Sequence, residues 1–198
     1  MTTRTLNILL WAAVAVALLA GGSAWYLLSR GSDLPVAGTL GQGDYALTTT
    51  DGAPFTEEVL ASGQPSAVFF GFTHCPDVCP TTLGDILTWQ EELGDEAEDL
   101  RVYFVTVDPE RDDPEVLGDY VSWVPGVAGV TGPRAEIDKA TRAFGVYASR
   151  VPLEGGDYTM DHSAYVLLFD GNGNFVEPIT YQEPLESALR KLRRAIGA

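Results

Sequence analysis

Basic residues, cysteines and histidines are all scarce in this chain of 198 residues. Twelve Lys and Arg residues, only two of them lysines, stand against 28 Asp and Glu residues and give a formal net charge of −16. An acidic surface of this kind repels phosphate backbones, so we expect no nucleic-acid partner. Two cysteines exclude a disulfide framework, and two histidines exclude a three-histidine zinc site. The chemistry must therefore rest on very few side chains.

The first 28 residues lack carboxylates altogether. Residues 6–28 carry no charge, and a helix of that length at ~1.5 Å per residue would span about 34 Å, enough to cross a bilayer core of ~30 Å. Trp11, Trp25 and Tyr26 lie toward the ends of this segment, where aromatic rings favour the membrane interface. Arg4 precedes it and every carboxylate follows it, which favours a cytoplasmic N-terminus and an exported domain.

A cleaved secretory signal is the alternative interpretation, because residues 22–24 are small enough for a cleavage site. The apolar run is longer than a typical signal core, which favours an uncleaved anchor. We therefore predict a transmembrane anchor over 6–28, a tether over 29–39 and one folded domain over 40–198. In either interpretation the domain leaves the cytoplasm.

Strand-like and helix-like segments alternate through the predicted domain. The predicted strands are Tyr45–Thr48, Ser66–Phe72, Arg101–Val107, Ser163–Phe169 and Phe175–Glu177, and the predicted helices are Thr81–Leu93, Pro114–Val124, Pro133–Phe144 and Pro184–Ile196. Asp113 is expected to cap the second of these helices. The alternation predicts an α/β fold with a central mixed, mainly parallel sheet flanked by helices.

Cys75 and Cys79 are the first candidates for chemistry. They follow a predicted buried strand directly and precede a predicted helix, and a spacing of four residues puts both sulfurs on one face of a helical turn. A helix N-terminus favours thiolates, which bind soft metals such as Cu(I) and attack disulfides. A metal site, a redox pair and a structural disulfide all remain open from this spacing. A disulfide closing so small a loop would remove little chain entropy, so a purely stabilising bridge is the weakest of the three.

His162 is the second candidate, immediately before another predicted strand. Because strand ends of an α/β sheet gather at one edge, this imidazole could supply a third ligand to the paired thiolates. Alone it is typical of an ordinary polar residue at a strand edge. His74 is adjacent to Cys75, but a neighbouring position in an extended segment directs its side chain elsewhere, so we do not expect it to be a ligand.

Asp108, Arg111 and Asp112 follow a central strand toward the same edge. We interpret them as a helix cap and an ion pair that shape the loop. Recognition of a partner protein is the alternative role for these charges.

Several separated motifs together resemble the Sco/SenC copper chaperones of cytochrome c oxidase assembly. They are Phe70–Pro80 (FGFTHCPDVCP), Thr106–Asp112 (TVDPERD), Thr131-Gly132, Ala143–Tyr147 (AFGVY) and Asp157–Ser163 with its Asp-His-Ser end. The likeness covers roughly residues 40–180, and a membrane anchor ahead of the domain also fits this family.

The resemblance implies a thioredoxin-like fold in which Cys75, Cys79 and His162 bind copper as Cu(I), Cu(II) or both. It implies delivery to the dinuclear copper centre of cytochrome c oxidase subunit II by ligand exchange, with other copper chaperones or thiol reductants as further partners. The absence of an Arg- and Ser-rich transit peptide suggests a bacterial inner-membrane protein whose domain faces the periplasm.

The rival interpretation is an enzyme, a thiol–disulfide oxidoreductase that acts on cysteines of the oxidase subunit or of other exported proteins. Two features count against it. Three residues separate Cys75 from Cys79, whereas thioredoxin-type enzymes have two. His162 and Ser163 occupy the place where thioredoxins have a cis-proline beside the redox pair. We therefore predict a metallochaperone, with thiol reduction as an accessory activity at most.

Overall fold

A seven-stranded sheet forms the centre of the computed structural model, which describes Arg4, Trp11 and residues 37–197. The strands are β1 (Leu47–Thr49), β2 (Pro54–Phe55), β3 (Ser66–Gly71), β4 (Arg101–Thr106), β5 (Val127–Thr131), β6 (Ala148–Pro152), β7 (Tyr158–His162), β8 (Tyr165–Phe169) and β9 (Phe175–Thr180). The helices are α1 (Glu57–Leu60), α2 (Val78–Leu93), α3 (Pro114–Val121), α4 (Arg134–Ala143) and α5 (Leu185–Ile196), with short 3-10 segments at Ala37–Thr39 and Gly94–Asp99.

The strand order in the sheet is β2-β1-β5-β4-β3-β8-β9, and β6 and β7 form a separate two-stranded sheet. The predicted mixed α/β sheet is confirmed, but its description as mainly parallel is wrong. Only the β3–β4 and β4–β5 pairs are parallel, and the other four pairs of this sheet are antiparallel. Strand β8 is mostly buried, as a parallel strand would be, and burial does not reveal strand direction.

Strand β3 lies inside the sheet, between β4 and β8. All six of its residues are buried, because apolar side chains cover both faces of the sheet around it. On one face Phe69 packs edge-on against Phe104 of β4, with ring centroids 5.5 Å apart. On the other face Phe70 contacts Phe144, at the end of α4, with centroids 5.1 Å apart. The alternation of side chains along the strand thus places Phe69 and Phe70 on opposite faces of the sheet.

Most predicted elements begin or end within a few residues of their observed limits. Asp113 caps α3 as predicted, because its Oδ1 accepts hydrogen bonds from the backbone amides of Glu115 and Val116 at 3.0 and 2.9 Å. Helix α2 begins at Val78, earlier than predicted, so Cys79 lies in its first turn. Pro80 is compatible with that turn because the first amides of a helix have no intrahelical partner.

The predicted membrane segment (6–28) and most of the tether (29–36) lie outside the residues that the structure describes, apart from Trp11. Within the described part of the chain, no helix is long and apolar enough to cross a bilayer.

Candidate metal centre

The two cysteines lie at the junction between β3 and α2. Cys75 is partly exposed in the connecting loop, Cys79 is completely buried, and both are free thiols. The backbone amide of Cys79 donates a hydrogen bond to Sγ of Cys75 at 3.3 Å. The loop is closed by the amide of Cys75, which donates to the carbonyl of Phe72 at 3.2 Å. The helix N-terminus therefore directs an N–H group at the exposed sulfur, as its position favours for an anionic thiolate.

Gly71, the last residue of β3, makes room for the buried sulfur. A Cβ atom at this position would lie 2.9 Å from Sγ of Cys79 and 2.7 Å from the ring of Phe104. Both distances are shorter than any normal carbon contact. The absence of a side chain at Gly71 thus sets how deeply Cys79 can sit beneath the loop.

His162 reaches the cysteines because β8 runs antiparallel to β3. Antiparallel pairing puts the start of β8 beside the end of β3, and His162 ends β7 just before β8 begins. Its Nε2 lies 3.6 Å from Sγ of Cys79. The two sulfurs and one imidazole nitrogen all lie within 4.8 Å of one another, which is close enough for one metal ion to bind all three.

The orientation of His162 leaves Nε2 available as a ligand. Its Nδ1 lies 2.9 Å from the carbonyl oxygen of Ser163, and a carbonyl can only accept, so Nδ1 carries the proton. Phe72 meets the imidazole edge to face, with an interplanar angle of 89° and centroids 5.7 Å apart. A backbone acceptor and an aromatic wall thus hold the ring with Nε2 toward the sulfurs, the usual support for a metal-binding histidine.

The two thiols differ strongly in acidity. A hydrogen bond from the Cys79 thiol lowers the pKa of Cys75 to about 4, with a further hydrogen bond from the Cys79 amide acting in the same direction. The same contact and the burial of Cys79 raise the pKa of the Cys79 thiol above its ordinary value. At neutral pH the pair therefore holds one proton, with the negative charge on the more exposed sulfur.

This donor set suits a soft metal ion. Thiolate and imidazole ligands bind copper and zinc, whereas magnesium and calcium require oxygen ligands. His74 does not belong to this group of donors. Its Nδ1 lies 3.0 Å from Oγ1 of Thr73 instead. Among the described residues, no other group of three or more metal-binding side chains that includes a cysteine or histidine lies close enough together to hold one ion.

Asp108, Arg111 and Asp112 form the polar interior of the loop that follows β4. Both carboxylates are fully buried, and Nε of Arg111 donates to Oδ2 of Asp108 at 2.5 Å. The predicted ion pair is therefore confirmed, whereas the helix cap is Asp113 alone. Because a buried carboxylate cannot touch another protein, neither aspartate presents a recognition surface.

Three residues that support the site were missed in the sequence: Gly71, Thr73 and Tyr158. Gly71 and Thr73 both lie inside the motif that contains Cys75, so their positions carried a signal. Tyr158 lies inside the motif Asp157–Ser163, but its role depends on the β6–β7 hairpin, which the sequence did not predict.

The comparisons with known proteins decide the family. The SCO1/SenC family model matches residues 36–197. The chain belongs to the SCO1/SenC family. Protein SCO2 of mitochondria from Saccharomyces cerevisiae is 34% identical over 211 residues, covering 99% of this chain and 70% of that protein.

Solved structures of this family share the fold described above. Bradyrhizobium japonicum ScoI with copper bound superposes with a TM-score of 0.71 at 41% identity, covering 78% of this chain and 98% of that one. Yeast Sco1 with copper bound gives a TM-score of 0.72 at 34% identity, covering 81% and 90%. The predicted thioredoxin-like, mixed α/β arrangement is thus the arrangement of this SCO1/SenC protein.

Proposed function

We propose that this SCO1/SenC protein binds copper through Cys75, Cys79 and His162 and serves the assembly of cytochrome c oxidase. The observation that carries the proposal is the convergence of three soft donor atoms from two distant segments within 4.8 Å. Relatives of the same fold have been solved with copper bound, at 41% and 34% identity. Two thiolates and one imidazole form a low-coordinate set that accepts both Cu(I) and Cu(II).

Copper in this proposal is the cargo, delivered to the dinuclear copper centre of oxidase subunit II. The unequal exposure of the two sulfurs suggests an order for that exchange. An acceptor thiolate can approach from the side of the partly exposed Cys75, so the bond to Cys75 is replaced first. The buried Cys79 and His162 then release the ion as a second acceptor ligand binds it. No electron is transferred in this exchange, because each thiolate bond that breaks is replaced by one that forms.

The proposal includes a place for the protein in the cell. Residues 6–28 form a membrane anchor, residues 29–39 a tether, and the copper-binding domain faces the periplasm of a bacterial inner membrane. The charge pattern of the first 30 residues supports this orientation. A copper donor protein and a reductant that keeps the two thiols reduced are the further partners expected.

Thiol–disulfide exchange is the second candidate function, and one observation favours it. Cys75 is partly exposed with a lowered pKa, and Cys79 is buried beside it, which are the properties of an attacking thiolate and a resolving thiol. Oxidation of this pair to a disulfide would supply two electrons and its one proton to a target disulfide, and the second thiol of the target would take its proton from water. His162 exchanges no electrons in that reaction, so its contribution to copper affinity separates the two functions.

The test measures Cu(I) affinity of the full chain, purified in detergent and kept reduced and anaerobic, against a competing Cu(I) chelator. We expect one ion per chain and a loss of at least about 100-fold in affinity for Cys75→Ser, Cys79→Ser and His162→Ala, since each removes one ligand. His74→Ala is the matched control and leaves the affinity unchanged. Copper binding that is weak and indifferent to His162, together with fast disulfide exchange, would instead establish the oxidoreductase.

A further inference from the structure

The β6–β7 hairpin carries His162 but has few apolar contacts of its own. Its two strands pair only with each other within the described chain, and most of their side chains are exposed or half-buried. Met160 is the one buried side chain of the two strands. Because the main sheet does not extend through the hairpin, other contacts must hold it against the domain.

Tyr158, four residues before His162 on the same strand, supplies several such contacts. Its hydroxyl donates a hydrogen bond to Oδ1 of the buried Asp108 at 2.7 Å. Its ring lies between two guanidinium groups, with Arg111 at 3.8 Å and Arg150 at 3.4 Å from the ring centroid. One side chain of the hairpin is thus hydrogen-bonded to the loop after β4 and stacked between two cations.

Arg111 secures the backbone of the same residue. Its Nη1 donates to the carbonyl oxygen of Tyr158 at 3.0 Å and lies 3.6 Å from Oδ1 of Asp157, while its Nε pairs with Asp108. The carboxylate of Asp108 therefore anchors both the arginine and the tyrosine. We refer to Asp108, Arg111 and Tyr158 as the hairpin latch.

We propose that the hairpin latch positions His162 against Cys75 and Cys79, so that Tyr158 and Arg111 are positioning residues for the metal centre. This inference rests on the proposed function of the three donors. Since Tyr158 and His162 lie on the same strand, a hairpin that shifts in the absence of the latch carries the imidazole away from the sulfurs. The apparent affinity then equals the intrinsic affinity multiplied by the fraction of molecules in which His162 remains in place.

The lead variant is Tyr158→Phe, which keeps the ring between the two guanidinium groups and removes only the hydroxyl. We expect Cu(I) affinity of the full chain to fall about tenfold, within the range found when residues supporting a metal ligand are changed. Tyr45→Phe is the matched control, because it also removes one buried hydrogen bond, from the Tyr45 hydroxyl to the carbonyl of Gly41 at 2.9 Å. It should leave the affinity unchanged.

A double-mutant cycle distinguishes positioning from a general loss of stability. In a His162→Ala background, Tyr158→Phe should have no further effect on Cu(I) affinity, because the group that it positions is gone. An equal tenfold loss in both backgrounds would overturn the proposal. Arg111→Lys is the second variant. It keeps a positive charge beside Asp108 but removes the guanidinium group, whose Nη1 donates to the Tyr158 carbonyl.

The metal-free protein gives an independent readout. With ¹⁵N-labelled histidine, His162 should show the widely separated shifts of a single Nδ1–H tautomer, and Tyr158→Phe should bring them closer as the tautomers exchange. Unchanged His162 shifts in Tyr158→Phe would overturn the positioning role. A Cu(I) affinity that is the same in the unmodified chain and in His162→Ala would contradict the proposed function. The histidine spectra of the metal-free protein would still decide the role of the latch.

Discussion

The carboxylate of Asp112 accepts two hydrogen bonds from Thr73, one from the backbone amide at 3.1 Å and one from the hydroxyl at 2.6 Å. Thr73 lies two residues before Cys75. The hydroxyl of Thr106 donates a third hydrogen bond to the same carboxylate at 2.6 Å. The loop after β4 thereby holds the cysteine loop through Asp112, as it holds the hairpin through Asp108.

Thr73→Val is expected to destabilise the domain by about 1.5–3 kcal/mol, because it removes a hydrogen bond to a charged and buried carboxylate while preserving side-chain shape. Urea denaturation of the reduced protein, followed by the fluorescence of the buried Trp89, measures this change. Thr88→Val is the control, since the Thr88 hydroxyl bonds only to the carbonyl of Gly84 in its own helix. Equal effects for the two variants would mean that the Asp112 contact adds nothing.

Gly71→Ala and Gly84→Ala should change stability in opposite directions. The first places a Cβ atom against Cys79 and Phe104 and is expected to cost about 1–3 kcal/mol, with a weaker metal site because Cys79 must move. The second adds a methyl group where nothing lies within 4 Å, in the interior of α2, and should stabilise the protein by up to about 1 kcal/mol. Thermal unfolding and Cu(I) competition measure both effects. A stable Gly71→Ala protein with unchanged affinity would show that Cys79 is not tightly confined.

The pH dependence of Cys75 follows from its lowered pKa of about 4. Its alkylation by iodoacetamide should stay fast from pH 9 down to about pH 5, whereas an ordinary thiol slows about tenfold per unit below pH 8.5. Because the folded pKa lies below the unfolded value, the stability contributed by this thiolate is complete above about pH 9 and is lost as the pH falls toward 4.

Cys79→Ala tests the cause of that shift. It removes the thiol that donates to Cys75, so the midpoint of Cys75 alkylation should move upward. A midpoint that stays near 4 in this variant would assign the shift to the backbone amides of residues 77 and 79 instead.

Glu183 should produce a second pH dependence, far from the cysteines. Burial acts to raise the pKa of this carboxyl, but hydrogen bonds from Lys191, Ser187 and Thr180 outweigh it and lower the pKa to about 2. The stabilisation is therefore complete above about pH 4.5 and disappears as the pH falls through 2. Glu183→Gln should destabilise the protein at pH 7 and much less at pH 2.5 in chemical denaturation. The exposed Glu186→Gln should have little effect at either pH.

The elements around the cysteines could be predicted because their sequences leave few alternatives. Ser66–Gly71 and Arg101–Thr106 are apolar runs of strand length, and Asp113 followed by Pro114 is a strong signal for a helix start. The spacing of Cys75 and Cys79 favours convergence of the two sulfurs, although Cys75 precedes α2 and its sulfur is brought to the first turn by the loop.

The direction of β8 and the presence of the hairpin could not be predicted in the same way. Tyr165–Phe169 has the composition of a buried strand in either direction, and the nearness of His162 to the cysteines depends on the antiparallel choice. The strands Ala148–Pro152 and Tyr158–His162 have no continuous apolar face, so neither carries a strand signal. Their pairing depends on tertiary contacts such as those of Tyr158, which no local pattern encodes.

Because β8 pairs with β3, the sulfurs of Cys75 and Cys79 and the imidazole of His162 come together only late in folding. Cys79 and His162 are 83 residues apart in the chain, so closing that loop costs entropy that only the finished sheet repays. A newly synthesised chain in which β8 has not yet docked offers only two thiols, and these are far weaker competitors for a metal ion. If the proposed function holds, tight binding of the ion would therefore require the finished sheet, and a chain in which β8 is misplaced would bind it weakly.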